Sequence, residues 1–166
     1  MDVEQQDKIL GVLGEKYVDQ VLHAGMVYDF FTITLKKEKI VEIIRELYHH
    51  PAMQFQYLTT LCGIHYPELE QIAIMYQLHN LHTNVRVRLK IYLPIASPTV
   101  PTLTPVFASA NWMERETYDF YGVIFEGHPN LKRILNVDEM IIFPMRKEYP
   151  LEDQVRQDKN DSMFGR

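Results

Sequence analysis

Thiol chemistry is nearly absent from this sequence of 166 residues, which has one cysteine, Cys62. A lone thiol excludes an internal disulfide, an all-cysteine zinc site and an iron–sulfur cluster held by this chain alone, and it fits a reducing compartment. A surplus of positive charge is lacking too. Seventeen Lys and Arg stand against 22 Asp and Glu, a net charge of −5, which is the wrong sign for a chain whose main work is holding nucleic-acid phosphates. Neither a G-x-G-x-x-G run nor a P-loop occurs, so no nucleotide cradle is marked. Met1 to Leu13 has no basic region followed by an apolar stretch and carries Asp2, Glu4 and Asp7 instead, so a secretory leader is not expected and a cytoplasmic protein is. One uncharged run, Ile91 to Met113, is long enough to cross a bilayer, but Pro94, Pro98, Pro101 and Pro105 would break a helix there repeatedly. That run reads as an extended loop. With no lipidation motif or basic amphipathic helix, membrane association is expected through a partner.

What is present is an ordinary globular composition, 46% hydrophobic and 23% charged, long enough for one domain with a real core. Leu10, Leu13, Tyr17 and Val21 recur at helical spacing before Gly25, predicting a first helix from about Glu4 to His23. A strand is expected over Val27 to Leu35, and Ile40, Ile43, Ile44, Leu47 and Tyr48 predict a second helix that Pro51 stops. Phe55 to His65 reads as a strand entering a turn at Gly63, Ile72 to Leu78 as another strand, and Asn80 to Asn84 as a turn. In Val85 to Leu93, apolar residues alternate with Arg86, Arg88, Lys90 and Tyr92, a half-buried strand whose other face is wet or binds something. Asn111 to Tyr121 is expected to be a short helix capped by Asn111 and ended by Gly122. Beyond Ile142 the apolar periodicity stops. The expected architecture is α+β, a two-layer body over residues 1–142 with helices packed on a mainly antiparallel or mixed sheet, plus an extended partner-docking tail over 143–166.

Candidate chemistry concentrates in Glu114, Arg115, Glu116 and Asp119, with His128 and Arg133 downstream. Carboxylates beside a histidine suit acid and base roles, and Glu116, Asp119 and His128 define a free-standing acid–base enzyme as one hypothesis. The competing and commoner reading is a solvated or partner-facing charged stripe, in which Arg115 and Asp119 pair four residues apart. Pro129 fixes its own φ and biases His128 to extended geometry, so the imidazole is expected to brace a local turn. His79 with His82 and His49 with His50 lack accompanying ligands at metal spacing and read as turn and helix-end histidines. Cys62 reads as a buried structural thiol. Arg86, Arg88 and Lys90 are read as an acidic-partner or RNA contact, or equally as a solubilising sheet edge.

The run from Glu114 to Leu135, with Glu114-Arg115-Glu116-Thr117-Tyr118-Asp119-Phe120-Tyr121-Gly122 and Gly127-His128-Pro129-Asn130-Leu131-Lys132-Arg133 at its heart, resembles the signature of the thirty-kilodalton C subunit of respiratory complex I. The similarity extends upstream through Ala110-Asn111-Trp112, Pro98 to Pro101 and Arg86 to Lys90, and downstream into Pro144-Met145-Arg146-Lys147, covering roughly Met26 to Leu151. The chain departs from the usual pattern at Ile141, Ile142 and Phe143, where the family commonly has Glu-Gly-His.

The resemblance implies a non-catalytic subunit of the hydrophilic arm of a proton-translocating NADH-quinone oxidoreductase, peripheral on the cytoplasmic side of the bacterial inner membrane. It implies packing on the quinone-site D subunit and beside the cluster-bearing B subunit. It also implies that FMN, iron–sulfur clusters and quinone belong to those partner subunits. No cofactor, metal or nucleic acid is expected on this chain. On this reading Trp112, Glu114, Arg115, Glu116, Asp119, Gly122, His128, Pro129, Arg133, Arg146 and Lys147 serve docking or structure. Related subunits of ferredoxin-linked quinone oxidoreductases and of membrane-bound hydrogenases share the core motif, so the same role in such a complex is the alternative.

Overall fold

The computed structural model describes residues 3–150. Its centre is a five-stranded mixed sheet in the order β1-β2-β5-β4-β3. The strands are β1 (Val21–Val27), β2 (Phe30–Leu35), β3 (Tyr57–Tyr66), β4 (Gln71–Asn80) and β5 (Val85–Pro94). β1 with β2, β3 with β4 and β4 with β5 pair antiparallel, while β2 and β5 run parallel. The parallel pair is made possible by the long excursion between them, which begins with α2 (Ile40–His49) and continues through the β3–β4 hairpin. α1 (Val3–Lys16) precedes the sheet, and α3 (Ala110–Tyr121) follows it.

Register puts Phe31, Ile33, Leu35, Val87, Leu89, Ile91, Leu93, Ile72, Ile74, Tyr76, Leu78 and Leu61 on one face. These residues form a single buried cluster with Ile9 and Leu13 of α1 and with Ile40, Ile43, Ile44 and Leu47 of α2. Period-2 and period-3.6 patterns thus meet in one core, with the helices on one side of the sheet. α3 lies against β3 at Gly63, where a Cβ would sit 2.7 Å from the Tyr121 ring. Gly63 therefore lies inside β3 as a site of close helix approach and does not turn the chain.

Three further expectations are corrected. The first helix ends at Lys16. Val21 to Val27 is a strand that pairs with β2 around a tight turn at Tyr28-Asp29, with Tyr28 at φ 52°. β-branched Val21 and Val27 and the helix-weak Gly25 suit that pairing better than a helix continuation. The proline-rich run is not wholly irregular: β6 (Thr99–Pro101) pairs parallel with β7 (Ile124–Glu126), a small second sheet beside α3. Finally, β5 lies at the centre of the five-stranded sheet, so Arg86, Arg88 and Lys90 cannot be an edge device.

Candidate functional site

α3 starts without the expected asparagine cap. Ser109 precedes its first residue and makes no side-chain cap bond, whereas Gly122 closes it as expected, at φ 75° with its N–H donating to the Tyr118 carbonyl. That left-handed residue has a second task. A Cβ on Gly122 would lie 2.5 Å from the Phe143 ring, which packs over this spot and is flanked by the Arg133 and Arg146 guanidiniums at 5.2 and 4.8 Å. The ring also meets Tyr118 edge-on at 6.3 Å. Gly122→Ala should therefore destabilise the chain by about 2 kcal/mol from backbone strain and ring displacement, read as a shift in urea midpoint.

The charged motif is not the solvated stripe the sequence suggests, because Glu114 and Asp119 are both fully buried. Nor does Arg115 pair with Asp119. Arg115 stacks on the exposed Trp112 ring at 5.2 Å and donates to the carbonyls of Lys132 and Arg133. Asp119 instead takes Arg133 at 2.7 Å, the N–H groups of Ile134, Leu135 and Asn136, and the Asn136 amide. Burial alone would push its carboxyl up. The N–H groups of Asn136 and Leu135, the Asn136 amide and Arg133 outweigh that and hold it well below the usual carboxylate range. Arg133 also donates to the carbonyls of Asp119, Met140 and Ile142, so one ion pair ties the segment after β7 to the end of α3 at both its start and its finish.

Glu114 performs a parallel task at the other end of α3. It accepts from the Thr102 hydroxyl at 2.5 Å and the Leu103 N–H at 2.6 Å, fixing the chain that leaves β6. Burial pushes its carboxyl up to about 7 despite both donors. His128 lies beside it: Nε2 is 4.0 Å from the Glu114 carboxylate and 3.2 Å from the Asn111 carbonyl, while Nδ1 accepts from the Asn130 N–H. An accepting Nδ1 puts the ring hydrogen on Nε2, where it points at Asn111. His128 thus braces the turn at Pro129 against the first turn of α3.

Glu116, Asp119 and His128 do not converge. Glu116 is exposed, Asp119 faces residues 133–136, and His128 faces Asn111 and Glu114. Arg146 donates to the Tyr121 carbonyl, and the Lys147 N–H donates to Nδ1 of the buried His65. Residues 143–147 therefore rest on the body, so contact with the body does not stop at 142, and the tail beyond residue 150 lies outside the described residues. His79 is buried rather than exposed and contacts Asn84 at 3.0 Å. Cys62 is half-buried, its thiol pushed up by burial. Thr102, His65, Asn136 and Phe143 were not legible as motif partners, because each meets its partner, Glu114, Lys147, Asp119 or Gly122, across a long sequence separation.

The clamps leave an arm over residues 131–145 with its backbone held and several apolar side chains turned outward. Leu135, Val137 and Ile141 are 67%, 63% and 92% exposed. Trp112 on α3 is exposed as well.

Comparison with known proteins decides what this arrangement belongs to. Residues 33–155 match the family described as the respiratory-chain NADH dehydrogenase, 30 Kd subunit. The chain belongs to this family. Among similar proteins, the second C subunit of NADH-quinone oxidoreductase from Rhizobium meliloti is 42% identical over 132 residues, 79% of this chain and 72% of the relative. The C subunit of NADH-quinone oxidoreductase from Mycolicibacterium gilvum is 33% identical over 151 residues, 89% of this chain and 67% of the relative. The solved trypsin-resistant fragment (1-134) of Nqo5 superimposes with a TM-score of 0.60 at 30% identity, over 75% of this chain and 99% of the fragment. A chain of the membrane-bound sulfane sulfur reductase, an archaeal respiratory membrane complex, shares the fold at a TM-score of 0.74 and 18% identity, covering 89% of this chain and 86% of that one. The α+β fold and the thirty-kilodalton family expected from the sequence both hold. As a member of that complex I family, the chain is a subunit of a multisubunit respiratory complex. No helix among the described residues is long and apolar enough to cross a membrane.

Proposed function

We propose that this chain is a non-catalytic structural subunit of the hydrophilic arm of a proton-translocating NADH-quinone oxidoreductase. It packs on the quinone-site D subunit through the 131–145 arm and the exposed side of α3, close to the cluster-bearing B subunit. FMN, the iron–sulfur clusters and quinone reside in partner subunits, and the chain is held peripherally, on the cytoplasmic side, through those partners. The observation that carries this reading is the engagement of the motif's buried charges within the chain itself. The Asp119 carboxylate is surrounded by Arg133 and three backbone N–H groups, which suits a clamp and leaves no lone pair aimed at a substrate. The held backbone leaves Leu135, Val137 and Ile141 exposed, and Trp112 is exposed on α3, large apolar side chains of the kind buried at obligate interfaces.

Purification of the tagged full-length chain after mild detergent extraction tests this. Iron, flavin and membrane subunits should accompany it, and Leu135→Asp with Ile141→Asp should lower that recovery at least tenfold while leaving the melting of the isolated chain nearly unchanged. A stable monomer free of those components that turns over a substrate would overturn the reading.

A further inference from the structure

The sheet face opposite the helices is not accounted for by the clamps on α3. Register places Thr32 and Thr34 of β2, Arg86, Arg88, Lys90 and Tyr92 of β5, and Ala73, Met75, Gln77 and His79 of β4 together there. Cys62, Ile64 and Tyr66 of β3 and His23 of β1 complete the face. A depression of about 500 Å³ lies across it, lined by Thr34, Arg88, Lys90, Tyr66, Tyr92 and Met75 among others.

Three observations converge on one ligand chemistry. First, charge is segregated: the chain carries a net −5, yet its central strand turns Arg86, Arg88 and Lys90 to this face, and the facing positions of the other four strands contain no Asp or Glu. Among the described residues none of the three is in an ion pair.

Second, the cations are held in place. The Arg88 guanidinium sits 4.3 Å from the centre of the Phe30 ring and donates through Nε to Gln77. Its terminal N–H groups find no acceptor among the described residues. Lys90 is lodged between the Tyr66 and Tyr92 rings at 4.7 and 4.8 Å and donates to the Tyr66 hydroxyl. Fixed cations flanked by aromatics lose little entropy when they bind, which is why Arg and Tyr dominate interface hot spots. Third, Gln77 is buried on this same face with its Nε2 unpartnered, a donor without an acceptor beside the Arg88 fork.

We propose that this face receives an acidic segment of a neighbouring protein in the assembly, its carboxylates taken by Arg88, Lys90 and the Gln77 amide. The inference rests on the subunit reading above and adds a second docking surface, across the sheet from the α3 arm. A planar carboxylate fits the free fork of Arg88 bidentately, and the neighbouring tyrosines and Met75 supply the apolar rim. A polynucleotide is disfavoured by the net negative charge of the chain, which three cations do not offset.

The test uses the intact complex purified from mild detergent, carrying wild-type chain, Arg88→Lys or Arg88→Glu. Zero-length carbodiimide coupling should join Lys90, and the new amine of the Arg88→Lys variant, to an Asp or Glu of another polypeptide. Arg88→Glu should lower retention of the chain at moderate salt at least tenfold. A fully assembled complex with no such cross-link and normal retention of Arg88→Glu would overturn this inference and leave the subunit reading standing. Recovery of the chain outside any complex would overturn both, and ultraviolet cross-linking of this face to RNA would replace the acidic segment with a nucleic acid.

Discussion

Replacing Asp119 with alanine should cost the chain about 3–5 kcal/mol, the usual effect of removing one partner of a buried ion pair. The Arg133 guanidinium, whose side chain is only 7% exposed, would lose its counter-charge, and the N–H groups of Ile134, Leu135 and Asn136 would lose their acceptor. The damage should be local first, since the 131–145 arm is then tied to α3 without a carboxylate, through Arg115 to the Lys132 and Arg133 carbonyls, Arg133 to the residue 119 carbonyl and the Met145 N–H to the Phe120 carbonyl. Trypsin should cut after Lys132 or Arg133 many times faster in Asp119→Ala than in wild type, with the sheet left intact. Asp119→Asn keeps the oxygen acceptor but not the charge and should fall between the two. Equal cutting rates in Asp119→Ala and wild type would show that the arm is held by something other than this clamp.

Glu114→Ala should be nearly as severe, about 2–4 kcal/mol, because it leaves the Leu103 N–H and Thr102 hydroxyl without their shared acceptor and opens a cavity beneath α3. Glu114 also gives stability an unusual pH dependence. Its carboxyl lies near 7 in the folded chain against an ordinary 4.5, so the folded state binds the proton more tightly. The resulting stabilisation is complete below about pH 4.5 and fades as pH rises to about 7, a loss on the order of 3 kcal/mol. Asp119 acts in the opposite sense. Its depressed carboxyl contributes stability above its ordinary 3.8 that is lost as pH falls further. Stability governed by these two groups should therefore peak near pH 4, between their ordinary values of 3.8 and 4.5. In Glu114→Gln the decline between pH 5 and 7 should disappear while the acid limb remains, as followed by urea unfolding at each pH; persistence of the decline would assign it to other groups.

Much of the body was legible because its residues obey local periods. Ile40, Ile43, Ile44 and Leu47 marked α2 by helical spacing, and the alternation through Val87, Leu89, Ile91 and Leu93 marked β5. The first helix was drawn too long because Tyr17 and Val21 continue its spacing, while pairing with β2, a tertiary event, captures Val21 for a strand. The position of β5 at the sheet centre was invisible for the same reason: strand order depends on crossovers that no local pattern records.

The charged motif stood out in the sequence, but its charges were misplaced. Spacing made Arg115 and Asp119 an attractive helical pair, whereas the real partner, Arg133, is 14 residues away and arrives only when the chain turns at His128 and Pro129. Burial of Glu114 likewise depends on Thr102 and Leu103, which come from the proline-rich run that reads as a plain loop. Phe143, a departure from the usual family pattern, finds its place over Gly122 because that residue has no side chain.

On the proposed reading the motif from Glu114 to Arg133 builds and presents a docking surface and does no chemistry. Turnover per assembled complex, normalised to iron and flavin content, measures this most directly when Glu116→Gln and Asp119→Asn are introduced in the full assembly. Asp119→Asn should give fewer assembled complexes, with each assembled complex of either variant turning over at the wild-type rate. Complexes with the full set of subunits and cofactors that have lost turnover in either variant would contradict that reading.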